Sequence, residues 1–491
     1  MKHIISASDF TSGWVLEMIE RSTGHIERFR SGIPMGHRSE KVTVVMGEAS
    51  TRTAGSFKAA ARLVGCDWDF VASSGESSLT KGEALGASAR MWAGQGASVL
   101  AIRTAIEGGS RWLAEAMEMG SYRTAIINAG DGANQHVSQA LLDLVTIKLK
   151  KGRLENLRIG FLGDLRFSRT VHSLVQALRL FPGIELVLVS SPQVKLSEWY
   201  YNGMPATVSD SIEALAGCDI VYVTRVQEKR FGGDRVAYER VRGLYSVGED
   251  TLRLIGPEAL IMHPLPINST DREIDPSVWM HPQVIIDFQA EMGIPTRMAL
   301  IEQSLSELDT FGFPQPPQPV ISIKSVRSAA EALEQKRRNN ITFTPLNCGT
   351  IIDHLPTGMG ERVRLLVRSK MKLNKGSKVL AEDLEPTNPS HPVKEIIRLE
   401  NNFLSNEIIA LVAAFAPGVT INEIRDGMIT KKKVASIGHI TVGQCPNPDC
   451  VTNKDIQAAG FPKFIIVSDS GDRTLRCHYC ERRFSTHEVL Q

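Results

Sequence analysis

Hydroxyl side chains and a guanidinium crowd one turn, Gly47-Glu48-Ala49-Ser50-Thr51-Arg52-Thr53-Ala54-Gly55-Ser56-Phe57. A strand-like run, Val42 to Val45, leads in, and an Ala-rich helix, about Phe57 to Leu63, leads out. The first N–H groups of a helix lack internal partners and its dipole is positive there. Such a turn takes an anion readily, and the planar fork of Arg52 suits phosphate oxygens. Ser and Thr are also ordinary helix caps. An arginine between two threonines, with Glu48 four residues before it, favours a phosphate site over a cap alone. No Gly-rich run ends in Gly-Lys-Ser/Thr, and Gly130-Asp131-Gly132 lacks the third glycine of a dinucleotide fingerprint. Nucleotide hydrolysis and nicotinamide redox chemistry are disfavoured.

Further along, other chemically capable residues fall at the ends of apolar runs. Ser98 to Ile102 reads as a buried strand and ends in Arg103-Thr104. Ala125 to Gly130 reads as another, followed by Asn134 to Leu142, where His136 and Gln139 are three apart and share a helix face. Open α/β sheets gather ligands beyond the carboxyl ends of their strands, so Arg52, Arg103 and His136 are expected at one edge. A second series starts with a strand over Arg158 to Gly163, with Arg169 opening a helix to about Leu180. Further strands are expected at Leu186 to Val189, at Ile220 to Val223 ending in Thr224-Arg225-Val226-Gln227, at Leu260 to Met262 ending in His263-Pro264-Leu265-Pro266, and at Val284 to Asp287. Alternating strands and helices argue two doubly wound parallel-sheet domains, 1–150 and 151–293, with a helix at 294–310 packing back onto the first. Arginines from both would face a cleft suited to a substrate with several negative charges. Between the first strands lies a small-residue surface loop holding Ser78 and Lys81; by itself Lys81 reads as an ordinary exposed charge.

Downstream the pattern changes. Pro-rich and highly charged stretches over 311–340 read as a linker. Val363 to Arg368 and Ile396 to Glu400 alternate like half-exposed strands, and Asn406 to Phe415 reads as a helix, so 341–436 is expected to be a small α+β domain. In 437–491, Cys445 and Cys450 form one close pair and Cys477 and Cys480 another, the spacing of a zinc ribbon with four thiolates in a tetrahedron. Four thiolates fill the metal's shell, so this zinc is expected to be structural, and so small a segment needs it to fold.

A net charge of +2 provides no global field toward nucleic acid or an anionic membrane, and neither partner is expected. No apolar run approaches the ~20 residues of a membrane helix, and the N-terminus lacks the apolar core of a signal peptide. Scattered thiols at Cys66, Cys218 and Cys348 read as packing residues in a reducing compartment, and a cytoplasmic location is expected.

Ser50-Thr51-Arg52-Thr53 with Ser56-Phe57, and the turn from Asn128 to Gly132 ending in His136-Val137-Ser138-Gln139, resemble the two signatures of the carbamoyltransferases. Ser78 with Lys81, Arg225-Val226-Gln227, and His263-Pro264-Leu265-Pro266 narrow the resemblance to the aspartate carbamoyltransferase family over about residues 1–310. The segments Gly349 to Pro356 and Leu399 to Ser405, with the four cysteines, resemble the regulatory chain of the same family. The resemblance implies a fusion of both chains that transfers the carbamoyl group of carbamoyl phosphate to L-aspartate in de novo pyrimidine biosynthesis. It implies that Ser50, Thr51, Arg52, Thr53 and Arg103 bind the phosphate, and that Thr53, Arg103 and His136 polarise the carbamoyl oxygen. Gln139 would hold the carbamoyl amide. Arg169 and Arg225 would clamp the aspartate carboxylates beside Gln227, and Leu265 and Pro266 would offer backbone carbonyls. Ser78 and Lys81 would enter from a neighbouring subunit, making a homo-oligomer of catalytic trimers with shared sites. Asp353, His354, Arg398 and Lys432 match nucleotide-site positions, with ATP and CTP as the implied effectors. Ala54, Val137 and Ile267 depart from the family's usual Arg, Pro and Arg. The competing reading is a catalytically silent scaffold whose zinc ribbon serves assembly or nucleic-acid contact.

Overall fold

Runs such as Val42 to Val45 and Val99 to Ile102 are apolar on both faces, the pattern of parallel strands covered by helices on either side. In the computed structural model these runs are strands of a parallel sheet. The structure describes residues 1–72, 82–226, 233–267, 272–310, 320–324, 346–356, 359–371, 378–384, 394–416, 419–436, 439–441, 443–467 and 474–490. Ser78, Lys81, Gln227 and most of the stretch 311–340 read as a linker lie outside these residues, as does the side chain of Lys432. The chain divides into two units, 1–313 with 447–460, and 314–446 with 461–491.

The first unit opens with α1 (Ser12–Gly24) and α2 (Ile26–Ser31). There follow β1 (Lys41–Met46), α3 (Thr51–Val64), β2 (Asp67–Ala72), α4 (Leu85–Gly94), β3 (Ala97–Thr104), α5 (Gly109–Met119), β4 (Ala125–Asp131) and α6 (Val137–Lys151). The strands form a parallel sheet in the order β2-β1-β3-β4. The second parallel sheet uses β5 (Arg158–Leu162), β6 (Glu185–Val189), β7 (Ala206–Ser209), β8 (Ile220–Val223) and β9 (Leu260–Met262), ordered β7-β6-β5-β8-β9. Its helices are α7 (Arg169–Leu178), α8 (Arg235–Val241), α9 (Glu249–Ile255) and α10 (Ile286–Glu291), and α11 (Gly293–Ser306) follows. Met298, Leu300 and Ile301 of α11 share one buried cluster with Phe57 of α3 and Leu144 of α6.

Two expectations need correction here. The helix after the first strand starts six residues earlier than read, at Thr51, because the Ser50 side chain accepts from the Thr53 N–H and caps it there. Val284 to Asp287 is not a strand. Val284 makes one bridge beside Ile261, and Ile286 already begins α10; a run of three apolar residues cannot distinguish the two outcomes.

In the second unit, β10 (Val320–Lys324), β11 (Gly349–Pro356), β12 (Val379–Leu384), β13 (Lys394–Glu400), β14 (Thr420–Arg425) and β15 (Met428–Ser436) form an antiparallel sheet. The stretch read as a linker therefore contains a paired strand, β10. Helices α12 (Gly360–Lys370) and α13 (Asn406–Phe415) share a core cluster with the sheet. Residues 363–368, expected as strand, lie inside α12. Val363, Leu366 and Val367 are buried while Leu365 is exposed, an i, i+3, i+4 pattern that suits a helix. A last antiparallel sheet orders β16 (His439–Ile440), β17 (Phe464–Val467), β18 (Thr474–Cys477) and β19 (Arg483–Ser485). Among the described residues no helix is long and apolar enough to cross a membrane.

Candidate active site

Each parallel sheet reverses its strand order once, between β1 and β3 in the first and between β5 and β8 in the second. At such a reversal neighbouring loops diverge and leave a crevice beyond the strand ends. Beyond the ends of β1, β5 and β8 lie Arg52, Arg169 and Arg225, and Arg103 is the last residue but one of β3. All four line one cavity of about 720 Å³, together with Ser50, Thr51, Thr53, His136, Gln139, Leu265 and Pro266. Arg297 of α11 is a fifth arginine in its wall, and among the described residues no Asp or Glu lines it. Cations so concentrated repel one another unless an anion joins them. Arg52 shows the effect: burial and then Arg225 lower its pKa from the usual value.

The first half of the site is held by local geometry. Ser50 caps α3, and its hydroxyl donates to Thr53 Oγ1 at 2.9 Å. The turn after β4 closes on Asp131, which is fully buried. Its two oxygens accept from Asn128 Nδ2, Asn134 Nδ2 and the N–H groups of Gly108 and Gln135. Burial raises this carboxyl to about 7 against those four bonds. The turn delivers His136 to the position just before α6, where its N–H donates to Ser173 Oγ at 2.8 Å. Burial, then Arg169, Arg103 and Arg297, push the His136 pKa well below the usual value, so the imidazole is neutral.

Glu48, noticed in the sequence only as a neighbour of Arg52, proves to be the anionic partner of two arginines. Its carboxylate lies 2.7 Å from Arg169 Nη2 and 3.4 Å from Arg103 Nε. Arg169 also donates to the Gly132 carbonyl at 2.9 Å. A Cβ on Gly130, whose φ is +122°, would stand 3.1 Å from the Arg169 guanidinium carbon. The glycine therefore gives the arginine its place.

The second half rests on a turn. His263 is buried and its N–H donates to Gln289 Oε1 at 2.9 Å, while its Nδ1 accepts from the Leu265 N–H at 2.8 Å. Nδ1 is therefore an acceptor, and burial with Arg225 and Arg52 lowers the pKa to about 3. Leu265 has φ +57°, a conformation few non-glycine residues hold without support. Reading the sequence alone placed His263 only in a strand-end motif, without a role, and missed Gln289, Arg297 and Asp143 as members of this assembly. Only Asp143 left a signal, four residues after Gln139, the spacing of a helical Gln–Asp pair.

The departures noted in the sequence are packing changes. Ala54 and Val137 are buried in the main core, and Ile267 packs against the core of the second sheet.

The four cysteines are buried, and their sulfurs all lie within 4.8 Å of one another. Cys445 and Cys480 Sγ are 3.7 Å apart, close to the ~3.8 Å edge of a tetrahedron with Zn–S bonds of about 2.3 Å. Four soft donors at that spacing fit zinc and leave no open position, so the site is structural. Asn447 Nδ2 donates to Glu107 Oε2 at 2.7 Å, and the Val451 N–H to the Glu107 carbonyl at 2.8 Å, which ties the segment around Cys450 into the first unit.

Of the regulatory-type positions, Arg398 stands opposite Ile351 and Asp353 follows two residues on, so both occupy one face of the antiparallel sheet, which Asn422, also opposite Ile351, shares. Lys432 is in register with Asn422. His354 is half exposed, 3.4 Å from Asp353.

Four family profiles match in order. Residues 2–149 match the aspartate/ornithine carbamoyltransferase carbamoyl-P binding domain, and 155–303 the Asp/Orn binding domain. Residues 341–436 match the allosteric domain of the aspartate carbamoyltransferase regulatory chain, and 440–490 its metal binding domain. The chain is 35% identical over 315 residues to the aspartate carbamoyltransferase catalytic subunit of Methanocaldococcus jannaschii, covering 62% of this chain and 99% of the relative. It is 38% identical over 264 residues to the catalytic subunit of Leptospira biflexa, covering 52% and 81%. Among solved structures, the M. jannaschii catalytic subunit superposes with a TM-score of 0.56 at 35% identity, over 62% of this chain and 99% of that one. The Trypanosoma cruzi aspartate transcarbamoylase in complex with N-(phosphonacetyl)-L-aspartic acid gives 0.55 at 26% identity, over 61% and 94%.

Proposed function

Because the chain belongs to the aspartate carbamoyltransferase family and carries catalytic and regulatory regions in one polypeptide, we propose the following roles for its cleft. The enzyme transfers the carbamoyl group of carbamoyl phosphate to the amine of L-aspartate, giving N-carbamoyl-L-aspartate and phosphate. The observation that carries the role assignment is a wall of five arginines with no carboxylate among the described lining residues, which suits a phosphate dianion and a dicarboxylate together.

Ser50, Thr51, Arg52, Thr53 and Arg103 hold the phosphate at the start of α3. Arg169 and Arg225 clamp the two carboxylates of aspartate, with Gln227 beside them. Gln139 meets the carbamoyl amide, and the Leu265 and Pro266 carbonyls accept from the carbamoyl and amine nitrogens. The amine nitrogen attacks the carbamoyl carbon, and charge moves onto the carbamoyl oxygen. Thr53, Arg103 and His136 stabilise that charge. A neutral His136 does so as a hydrogen-bond donor, which fits its suppressed protonation. The bond to the bridging oxygen then breaks, the phosphate departs, and the amine loses its proton. No covalent nucleophile is required, because holding the two reactants in line supplies much of the rate. Replacing Arg52 with Ala should lower carbamoyl phosphate affinity at least tenfold, by the ~1.5–3 kcal/mol of a charged hydrogen bond, without lowering the melting temperature. Isothermal calorimetry showing unchanged affinity would refute the assignment.

The finer assembly follows the same reading. Trp68 and Phe70 are exposed on the edge strand β2, immediately before the segment carrying Ser78 and Lys81. That edge is the face on which catalytic trimers form, with Ser78 and Lys81 completing a neighbour's site. Asp353, His354, Arg398 and Lys432 form the site for ATP or CTP on the antiparallel sheet. Buried thiols at Cys66 and Cys218, raised to about 11 by burial, suit the reducing cytoplasm. The place in metabolism is an early step of de novo pyrimidine biosynthesis.

A further inference from the structure

Beneath the cavity lies a buried carboxylate with three donors. Asp143, on α6, is fully buried. Its Oδ1 accepts from Gln139 Nε2 at 2.9 Å and from Gln289 Nε2 at 2.6 Å, and its Oδ2 accepts from the Tyr222 hydroxyl at 2.8 Å. Gln139 and Gln289 both line the cavity. Both amides meet Oδ1, which accepts whether the carboxyl is ionised or carries its proton on Oδ2, so each glutamine turns its amino group to Asp143. The amide oxygen of each is then committed elsewhere. For Gln289 it accepts from the His263 N–H at 2.9 Å, at the head of the Leu265 turn. For Gln139 it is the amide atom left for the cavity.

We propose that Asp143 is a positioning residue that determines donor specificity: it holds Gln139 with its carbonyl oxygen toward the cleft, so that the site reads the N–H of a carbamoyl group and discriminates against an acyl group of the same shape. The proposal rests on the assignment of Gln139 to the carbamoyl amide. The chemistry is one of parity. A carbamoyl phosphate and an acetyl phosphate differ by an amino group against a methyl group of similar volume. Only a hydrogen-bond acceptor tells them apart, because a site built to pair with an N–H is left unpaired by the methyl. A glutamine free to rotate presents either an acceptor or a donor, and presenting the donor to an amino group is repulsive. Asp143 removes that freedom. Through Gln289 the same carboxyl also ties the His263 turn to α6, so one buried group orients residues on both sides of the cleft.

The test is Asp143→Asn, which conserves volume but offers one acceptor oxygen in place of two. The full-length chain is assayed with carbamoyl phosphate as substrate, and with acetyl phosphate and inorganic phosphate as competitive ligands. The expected result is a roughly 10- to 100-fold loss of kcat/KM for carbamoyl phosphate, on the scale of one charge-assisted hydrogen bond. Acetyl phosphate and phosphate affinities should change less than about threefold, so the preference for the carbamoyl donor collapses. Equal losses for all three ligands would assign Asp143 a purely structural role and overturn the proposal, as would an unchanged preference. Should the Asn variant fail to fold, Asp143→Glu keeps the charge and displaces the acceptors, and the preference should still fall at least about fivefold; a preserved preference again overturns the proposal. Gln139→Met separates the two layers of inference. If that variant keeps the carbamoyl preference, the role of Gln139 itself is wrong; if it loses the preference while the Asp143 variants keep it, only the positioning role fails.

Discussion

The two halves of the cleft are built by different means. The half formed by β1, β3 and β4 fixes its residues mainly through local rules: a capping serine, a strand end, and a turn closed on one buried aspartate, with distant ties added at Arg103 and His136. The half formed by β5, β8 and β9 hangs its residues on contacts distant in sequence. His263 is held by Gln289, 26 residues away, and Arg169 by Glu48, 121 residues away. The anion-binding half is thus pre-set by secondary structure, while the acceptor half depends on tertiary partners and is the more readily disturbed.

This contrast faces its severest trial at His136, which the turn on Asp131 delivers from the first half although its N–H also reaches Ser173, 37 residues away. His136→Ala should lower kcat by roughly 100- to 1,000-fold, the usual cost of one donor to a developing oxyanion. Aspartate KM should change little, as steady-state kinetics at saturating carbamoyl phosphate will show; a rise in that KM with kcat intact would place His136 on the acceptor side. Glu48→Gln is expected to act across the divide. It removes the anion between Arg103 and Arg169, and should raise aspartate KM about tenfold, more than that of carbamoyl phosphate, on the scale of one charged hydrogen bond. Equal effects on both substrates would mean that Glu48 serves the two halves alike.

The smallest effect concerns acid. In the first half opposite shifts offset: burial holds Asp131 and Asp143 up to about 7, while it pushes His3 down to about 4 and His136 well down. Each raised carboxyl contributes stability that is present below its unfolded value of 3.8 and is lost as pH rises through 7. In the second half His263, lowered from 6.5 to about 3, has no raised buried carboxyl against it among the described groups. Its contribution is complete above 6.5 and is lost as pH falls toward 3, because the unfolded chain binds the proton first. His263→Asn, which keeps an acceptor for the Leu265 N–H, should therefore flatten the stability–pH curve between about 6.5 and 4 by up to about 1.4 kcal/mol per pH unit. Urea unfolding at stepped pH gives the slope, and an unchanged slope would show that this histidine does not govern the acid sensitivity of its half.

Much of the fold could be read directly. The strands at 42–45, 98–102, 186–189 and 220–223 were legible because parallel strands buried on both faces are written as nearly continuous apolar runs. The errors came where a run was short or its period mixed. Val284 to Asp287 was too short to separate a strand from a helix start, and 363–368 hid a helical period under an apparent alternation. The segment around Cys450 gave no sign in its composition that it pairs with Glu107.

The order of residues along the chain gave neither Gln289 nor Arg297 but brought out much of the cleft, namely the turn at Ser50 to Thr53, the arginines at successive strand ends and the histidine near a helix start, and, apart from the cleft, four thiols at metal spacing. Each is a local statement, and local spacing is what a sequence records. How those groups are oriented and neutralised was settled by folding alone. Glu48 reached two arginines, Asp143 turned two glutamines, and His263 shaped a leucine with positive φ. Those partnerships join residues that are mostly distant along the chain. Their direction depends on which buried acceptor each donor meets, and that choice exists only once the two sheets are folded against their shared core.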